Sequence, residues 1–108
     1  MDDALRAKLN ALRAAYGLTL PKQVAELDAA VRRWKGSPRD GQLVAQVASL
    51  SHRLCGTAGS FAFRDISDAA KAVEGLVGVN AAAPDAAKVD DEMRRLATAA
   101  ALAAEGKA

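Results

Sequence analysis

The sequence predicts an all-α fold: an antiparallel four-helix bundle with an additional N-terminal helix packed as a cap. Three observations carry this prediction. Apolar residues recur at three- and four-residue spacing along most of the chain. Strand signals are nearly absent. The residues are 51% apolar but only 4% aromatic, and alanine is abundant, a balance that favours closely packed helices over a β-sandwich. At 108 residues there is room for one domain, residues 1–108, and none for a second catalytic domain. The net charge of +2 is too small to imply a nucleic-acid partner. A lone cysteine excludes an internal disulfide and a cysteine-based metal set, and suits a reducing compartment. With no secretory leader and no apolar run near the roughly 18 residues of a membrane span, a cytoplasmic protein is expected.

Taken in order, residues 2–15 carry Leu5, Leu9, Leu12 and then Tyr16 on one stripe, read as core packing of a first helix. Asp2 and Asp3 oppose the positive end of its dipole, and Gly17 is expected to end it. Thr19 is the expected cap of a second helix, with Pro21 tolerated in its first turn and Val24, Leu27, Val31 and Trp34 as its buried line. Gly36 closes it. Arg32, Arg33, Lys35 and Arg39 form a basic patch at this end, assigned mainly to the helix's negative C-terminus rather than to phosphate binding. Ser37 as cap, Pro38 at the first helical position and Asp40 start a third helix that runs towards Phe61. Asp65 is the expected cap of a fourth, with Ile66, Ala69, Ala70, Val73 and Val77 facing inwards and Gly75 and Gly78 loosening its end. A turn at Asn80 to Pro84 leads to a last helix opened by Pro84 and Asp85, with Val89, Met93, Leu96 and Ala100 inside and a frayed Ala-rich tail.

The third helix carries the chain's single histidine. At about 100° per residue, Leu43, Val47, Leu50, Leu54, Ala58 and Phe61 fall in one core-facing sector, and His52 lies about 200° round from Leu50. The imidazole therefore points outwards. Within about 60° of it lie Ala45, Ala48, Ser49, Cys55, Gly56 and Gly59, none charged and none large. Two glycines inside a helix cost roughly 1 kcal/mol each relative to alanine, so something besides helix stability favours them. Two readings stand side by side: an exposed nucleophilic imidazole in a clearing where another macromolecule settles, or glycines that allow close helix packing beside a decorative histidine.

The stretch His52-Arg-Leu54-Cys-Gly56-Thr-Ala58-Gly-Ser-Phe61-Ala-Phe63 resembles the signature of histidine-containing phosphotransfer (HPt) domains, which usually runs His-x-Leu-Lys-Gly-Ser-Ala-x-x-apolar-Gly-apolar. Tyr16-Gly-Leu-Thr-Leu20-Pro21 with Val24 and Leu27 is similar to the family's opening helices, and Ile66 to Glu74 to the helix after its active site. Two positions depart from the pattern: Cys55 stands where the family usually has Lys, and Ala62 where it usually has Gly. The resemblance implies that His52 accepts a phosphoryl group from a receiver-domain phosphoaspartate, of a response regulator or hybrid kinase, and passes it to another receiver. It also implies a polar partner at Glu74 able to fix the imidazole tautomer, and a lysine charge that this chain lacks at Cys55.

A neutral imidazole offers one ring nitrogen with a free lone pair, and that nitrogen can attack phosphorus. The sequence has no carboxylate cluster for Mg²⁺ and no GxxxxGK[ST] loop, so autokinase or ATP-binding activity is not expected; any Mg²⁺ is expected on the partner receiver. The reading is a monomeric phosphoryl carrier, not an enzyme and without a cofactor or metal of its own. His52 is the expected phosphoacceptor, with Gly56, Gly59, Cys55, Glu74 and Ser49 supporting it. Thr57 is a further hydroxyl near the site. Arg53 and Arg64 are flanking cations assigned to solubility, and Cys55 is read as a small filler ahead of a redox modulator. Two alternatives stay open: a module that binds a receiver or kinase with the same surface but without phosphorylation, and a dimerising kinase-like bundle.

Overall fold

In the computed structural model, which describes residues 2–78 and 85–107, the chain forms four helices: α1 Asp3–Gly36, α2 Gly41–Ser60, α3 Arg64–Val77 and α4 Ala86–Ala104. No strand occurs among the described residues. Each helix packs on its neighbours in a closed ring, α1 on α2, α2 on α3, α3 on α4 and α4 on α1. Successive helices are antiparallel: Tyr16 meets Thr57, His52 meets Glu74, and Lys35 meets Asp90 while Gly17 meets Ala103. The stripes expected for the later helices face the core, although Leu43, Leu50 and Phe61 of the α2 stripe are only partly buried. Leu20, Val24, Leu27, Val31 and Trp34 of α1 close on Val47, Leu54 and Ala58 of α2, on Ile66, Ala69, Ala70, Val73 and Val77 of α3, and on Val89, Met93, Leu96 and Ala100 of α4.

The separate N-terminal capping helix is not found. The two expected opening helices are one, α1, which runs through both Gly17 and Pro21. Local breakers lose here to tertiary packing. Thr19, the expected cap, turns its hydroxyl back to the Tyr16 carbonyl at 2.6 Å and accepts from Gln23 Nε2 at 2.8 Å, so it serves inside the helix. Gly17 is buried, and a Cβ on it would stand 2.9 Å from the Ala103 carbonyl oxygen; it lets α1 and α4 approach rather than stopping α1. At about 1.5 Å per residue, 34 residues span about 51 Å, which matches the molecule's 50 Å long axis and outruns the 20 residues of α2. The first turns of α1 therefore project past the bundle. Leu5, Leu9 and Leu12, expected in the core, are 48%, 44% and 56% exposed.

Helix ends differ in detail from the expectation. Asp40, not Ser37, caps α2, accepting from the amides of Gln42 at 2.9 Å and Leu43 at 3.4 Å, so Pro38 lies in the preceding turn. At the other end, Ala62 takes φ 64°, its N–H reaches the Gly59 carbonyl at 3.0 Å, and the Phe63 N–H reaches that of Ala58 at 2.9 Å. This is a Schellman closure with alanine at the position glycine normally fills. Buried Phe63 then caps α3 without a side-chain bond, and Asp65 falls in the first turn instead of at the cap. Asp85 does cap α4, accepting from Lys88 N at 3.0 Å, and the expected frayed tail is helical to Ala104 and closes through Gly106 at φ 75°. The expected turn at Asn80 to Pro84 lies outside the described residues.

Candidate functional site

α2 is fixed on both sides, and this gives the histidine a stiff mounting. Towards α1, Tyr16 stacks on Phe61 with centroids 4.6 Å apart, and the Tyr16 and Thr57 hydroxyls meet at 2.7 Å. Arg13 donates from Nε to the Phe61 carbonyl at 2.9 Å and lies 3.9 Å over the Phe63 ring. Sequence periodicity assigns Tyr16 to a core stripe and Arg13 to no role. Tyr16 lies far from Phe61 and Phe63 in the sequence and only the fold brings the three together, so no signal in the sequence marked this corner. Towards α3, the Ser67 hydroxyl donates to the Cys55 carbonyl at 2.9 Å. Inside the bundle, fully buried Ser51 satisfies its hydroxyl on the Val47 carbonyl at 2.7 Å, so it carries no unmet polar atom into the core.

His52 projects from the outer face of α2 as expected, its side chain 78% exposed. Glu74 of α3 stands against it, with Nδ1 3.0 Å from Oε2 and 3.3 Å from Oε1. An ionised carboxylate can only accept, so Nδ1 carries the proton. In the neutral ring the lone pair is then on Nε2, the nitrogen away from Glu74. His52 and Glu74 share a shallow hollow with Ala48, Ser49 and Arg53. The wall is small and the only other cation in it is Arg53, which periodicity turned away from the imidazole.

The two glycines divide between the two readings of them. A Cβ on Gly56 would meet nothing within 4 Å, so that position is an opening in the outer face one turn from His52. A Cβ on Gly59 would stand 3.2 Å from Ser67 Oγ, so Gly59 serves the close approach of α2 and α3 rather than the clearing. Cys55 is half-buried with Sγ 3.4 Å from Ser67 Oγ, at the seam between the helices. Thr57 faces α1 and bonds back to the Arg53 carbonyl at 3.0 Å, so it is not a site hydroxyl. Arg64 lines a different cleft of ≈ 890 Å³ with Phe63, Ile66 and Leu102, which shares no residue with the hollow around His52. In the basic patch, Lys35 pairs with Asp90 of α4 at 2.9 Å and Arg32 with Asp28 at 2.9 Å, which gives both a structural task.

Among the described residues no group of three or more His, Cys, Asp or Glu side chains converges to hold a metal ion, and no helix is long and apolar enough to cross a membrane. The family model described as Hpt domain matches residues 6–105 of the chain. No curated protein and no solved structure matches it.

Proposed function

The chain belongs to the Hpt domain family, the phosphocarrier modules of phosphorelays; from that premise we propose that His52 is the phosphoacceptor and that residues 1–108 act as one monomeric, cytoplasmic carrier between receiver domains. The observation that carries this reading is the Glu74 carboxylate on Nδ1 of an imidazole that is otherwise open to solvent. With Nδ1 protonated, the Nε2 lone pair is available for in-line attack on the phosphorus of a receiver's phosphoaspartate. The N–P bond forms as the acyl O–P bond breaks, and the aspartate carboxylate leaves. The positive charge that develops on the ring is stabilised through Nδ1–H by Glu74, which orients the base without taking its proton. The second receiver's aspartate reverses the step. Mg²⁺ belongs to the receiver, and the absence of a large side chain at Gly56 lets that receiver's site descend onto Nε2.

Incubation with a ³²P-labelled phosphoreceiver is expected to move label onto an acid-labile, base-stable adduct, and His52→Gln is expected to abolish it. Unlabelled wild-type protein, under conditions where another carrier domain accepts label from the same receiver, would refute the proposal. Receiver binding that persists unchanged in His52→Gln, with no label on either protein, would instead favour a binding module that does no phosphoryl chemistry.

A further inference from the structure

Phosphoryl transfer is catalysed chiefly by positioning and by cancelling charge on the equatorial oxygens, and the α2 position that would ordinarily carry a cation for this is Cys55. Its thiol is half-buried at the α2–α3 seam, 3.4 Å from the Ser67 hydroxyl, and brings no charge. We infer that Lys71, from the neighbouring helix α3, supplies the cation that Cys55 does not. The inference rests on the functional reading of His52 and concerns the same transfer step.

The register of the two helices carries it. Ser67 bonds the Cys55 carbonyl at 2.9 Å and Glu74 reaches His52 at 3.0 Å, so these two contacts fix α3 antiparallel to α2 over this stretch. Lys71 lies between them in sequence, four residues after Ser67 and three before Glu74, and therefore on the same helical stripe. Projection at about 100° per residue puts Lys71 about 40–60° further from the core than Ser67 and Glu74, on the solvent side of the seam. In this register it stands level with Cys55, between the Ser67 and Glu74 contacts. Lys71 itself is exposed and makes no ion pair among the described residues. Of its two acidic neighbours at three-residue spacing, Glu74 is engaged by His52, and exposed Asp68 lies further round the solvent face of α3. An ammonium on a flexible four-carbon stem is a mobile point charge suited to meeting a phosphoryl oxygen as the N–P bond forms, donating a charge-assisted hydrogen bond and giving up no proton. Arg53, the rival cation, lines the same hollow but projects about 100° round α2 from His52, on the side away from α3.

The test uses phosphoramidate, which phosphorylates histidine directly with ammonia as leaving group and needs no docking, alongside the labelled phosphoreceiver. Lys71→Ala is expected to slow labelling of His52 about tenfold or more with both donors while leaving the unfolding midpoint unchanged. Lys71→Arg should retain most of the rate, and Cys55→Lys placed in the Lys71→Ala background should recover it, because the two positions deliver charge to one place. Wild-type rates in Lys71→Ala, a loss that neither Lys71→Arg nor Cys55→Lys repairs, or a comparable loss confined to Arg53→Ala would each overturn the inference and leave the phosphocarrier reading standing. Wild-type protein that takes label from neither donor would overturn both.

Discussion

The contact between His52 and Glu74 makes the sharpest claim at the level of single residues, because it decides which nitrogen is nucleophilic. Glu74→Ala leaves Nδ1 without its acceptor, so the neutral ring is free to carry its proton on Nε2, where it blocks attack. Transfer from a phosphoreceiver is expected to fall about ten- to a hundredfold, the usual cost of losing a group that orients an imidazole, and ¹⁵N NMR should show Nε2 protonation rising. Glu74→Gln keeps an acceptor and should lose less. Ala62 makes a different claim. Its φ of 64° costs an L-residue roughly 1–2 kcal/mol, and the exposed side chain has no compensating burial. Ala62→Gly is expected to stabilise the protein by about 0.5–1 kcal/mol in urea unfolding, the backbone relief being partly offset by glycine's greater freedom when unfolded. The outward direction of His52 was legible from helical periodicity. The left-handed turn at Ala62 was signalled only by the glycine usual there in the family signature, since alanine by itself suggests an ordinary helical residue.

Among the helices, glycines separate stability from function because each meets a different environment. Gly56→Ala adds a Cβ into open space and gains alanine's propensity, so the midpoint should rise by about 1 kcal/mol equivalent; transfer from a receiver should nevertheless slow, because the opening beside the imidazole narrows. Gly17→Ala gains the same propensity but drives a Cβ to 2.9 Å from the Ala103 backbone oxygen, and a backbone atom cannot rotate away. A net loss of about 1–2 kcal/mol is expected there, by the overpacking that follows when one helix must shift against another. Equal midpoints for the two variants would contradict this account. The apolar stripes of α2, α3, α4 and the second half of α1 were legible because burial repeats with the helical period. The continuity of α1 was not. Gly17, Thr19 and Pro21 together read as a break, and only the packing of α4 against Gly17, together with the Thr19 hydroxyl bond inside the helix, reverses that sign.

At the scale of the whole molecule, the same continuity explains why a stripe with good periodicity is not core. Leu5, Leu9 and Leu12 continue the line of Leu20, Val24 and Leu27 along one rod, yet α2 and α4 end near Tyr16, so no helix is left to cover them. Periodicity reports which side of a helix is apolar, and the lengths of its neighbours decide how much of that side is buried. The anchoring of the rod begins at Arg13 and Tyr16, through the Phe61 carbonyl, the Phe61 ring and the Thr57 hydroxyl. A protein lacking residues 2–11 therefore gives up little buried surface, and its unfolding free energy is expected to fall by less than about 1 kcal/mol, with its labelling rate by phosphoramidate retained. Tyr16→Ala in the full chain removes the stack and the hydroxyl contact at once, and should cost about 2–3 kcal/mol, in the range of losing a large, partly buried aromatic side chain. Chemical denaturation of the two proteins side by side tests this division of α1. A truncation that unfolds the bundle while Tyr16→Ala spares it would mean that the projecting turns, and not the aromatic corner, hold α1 in place.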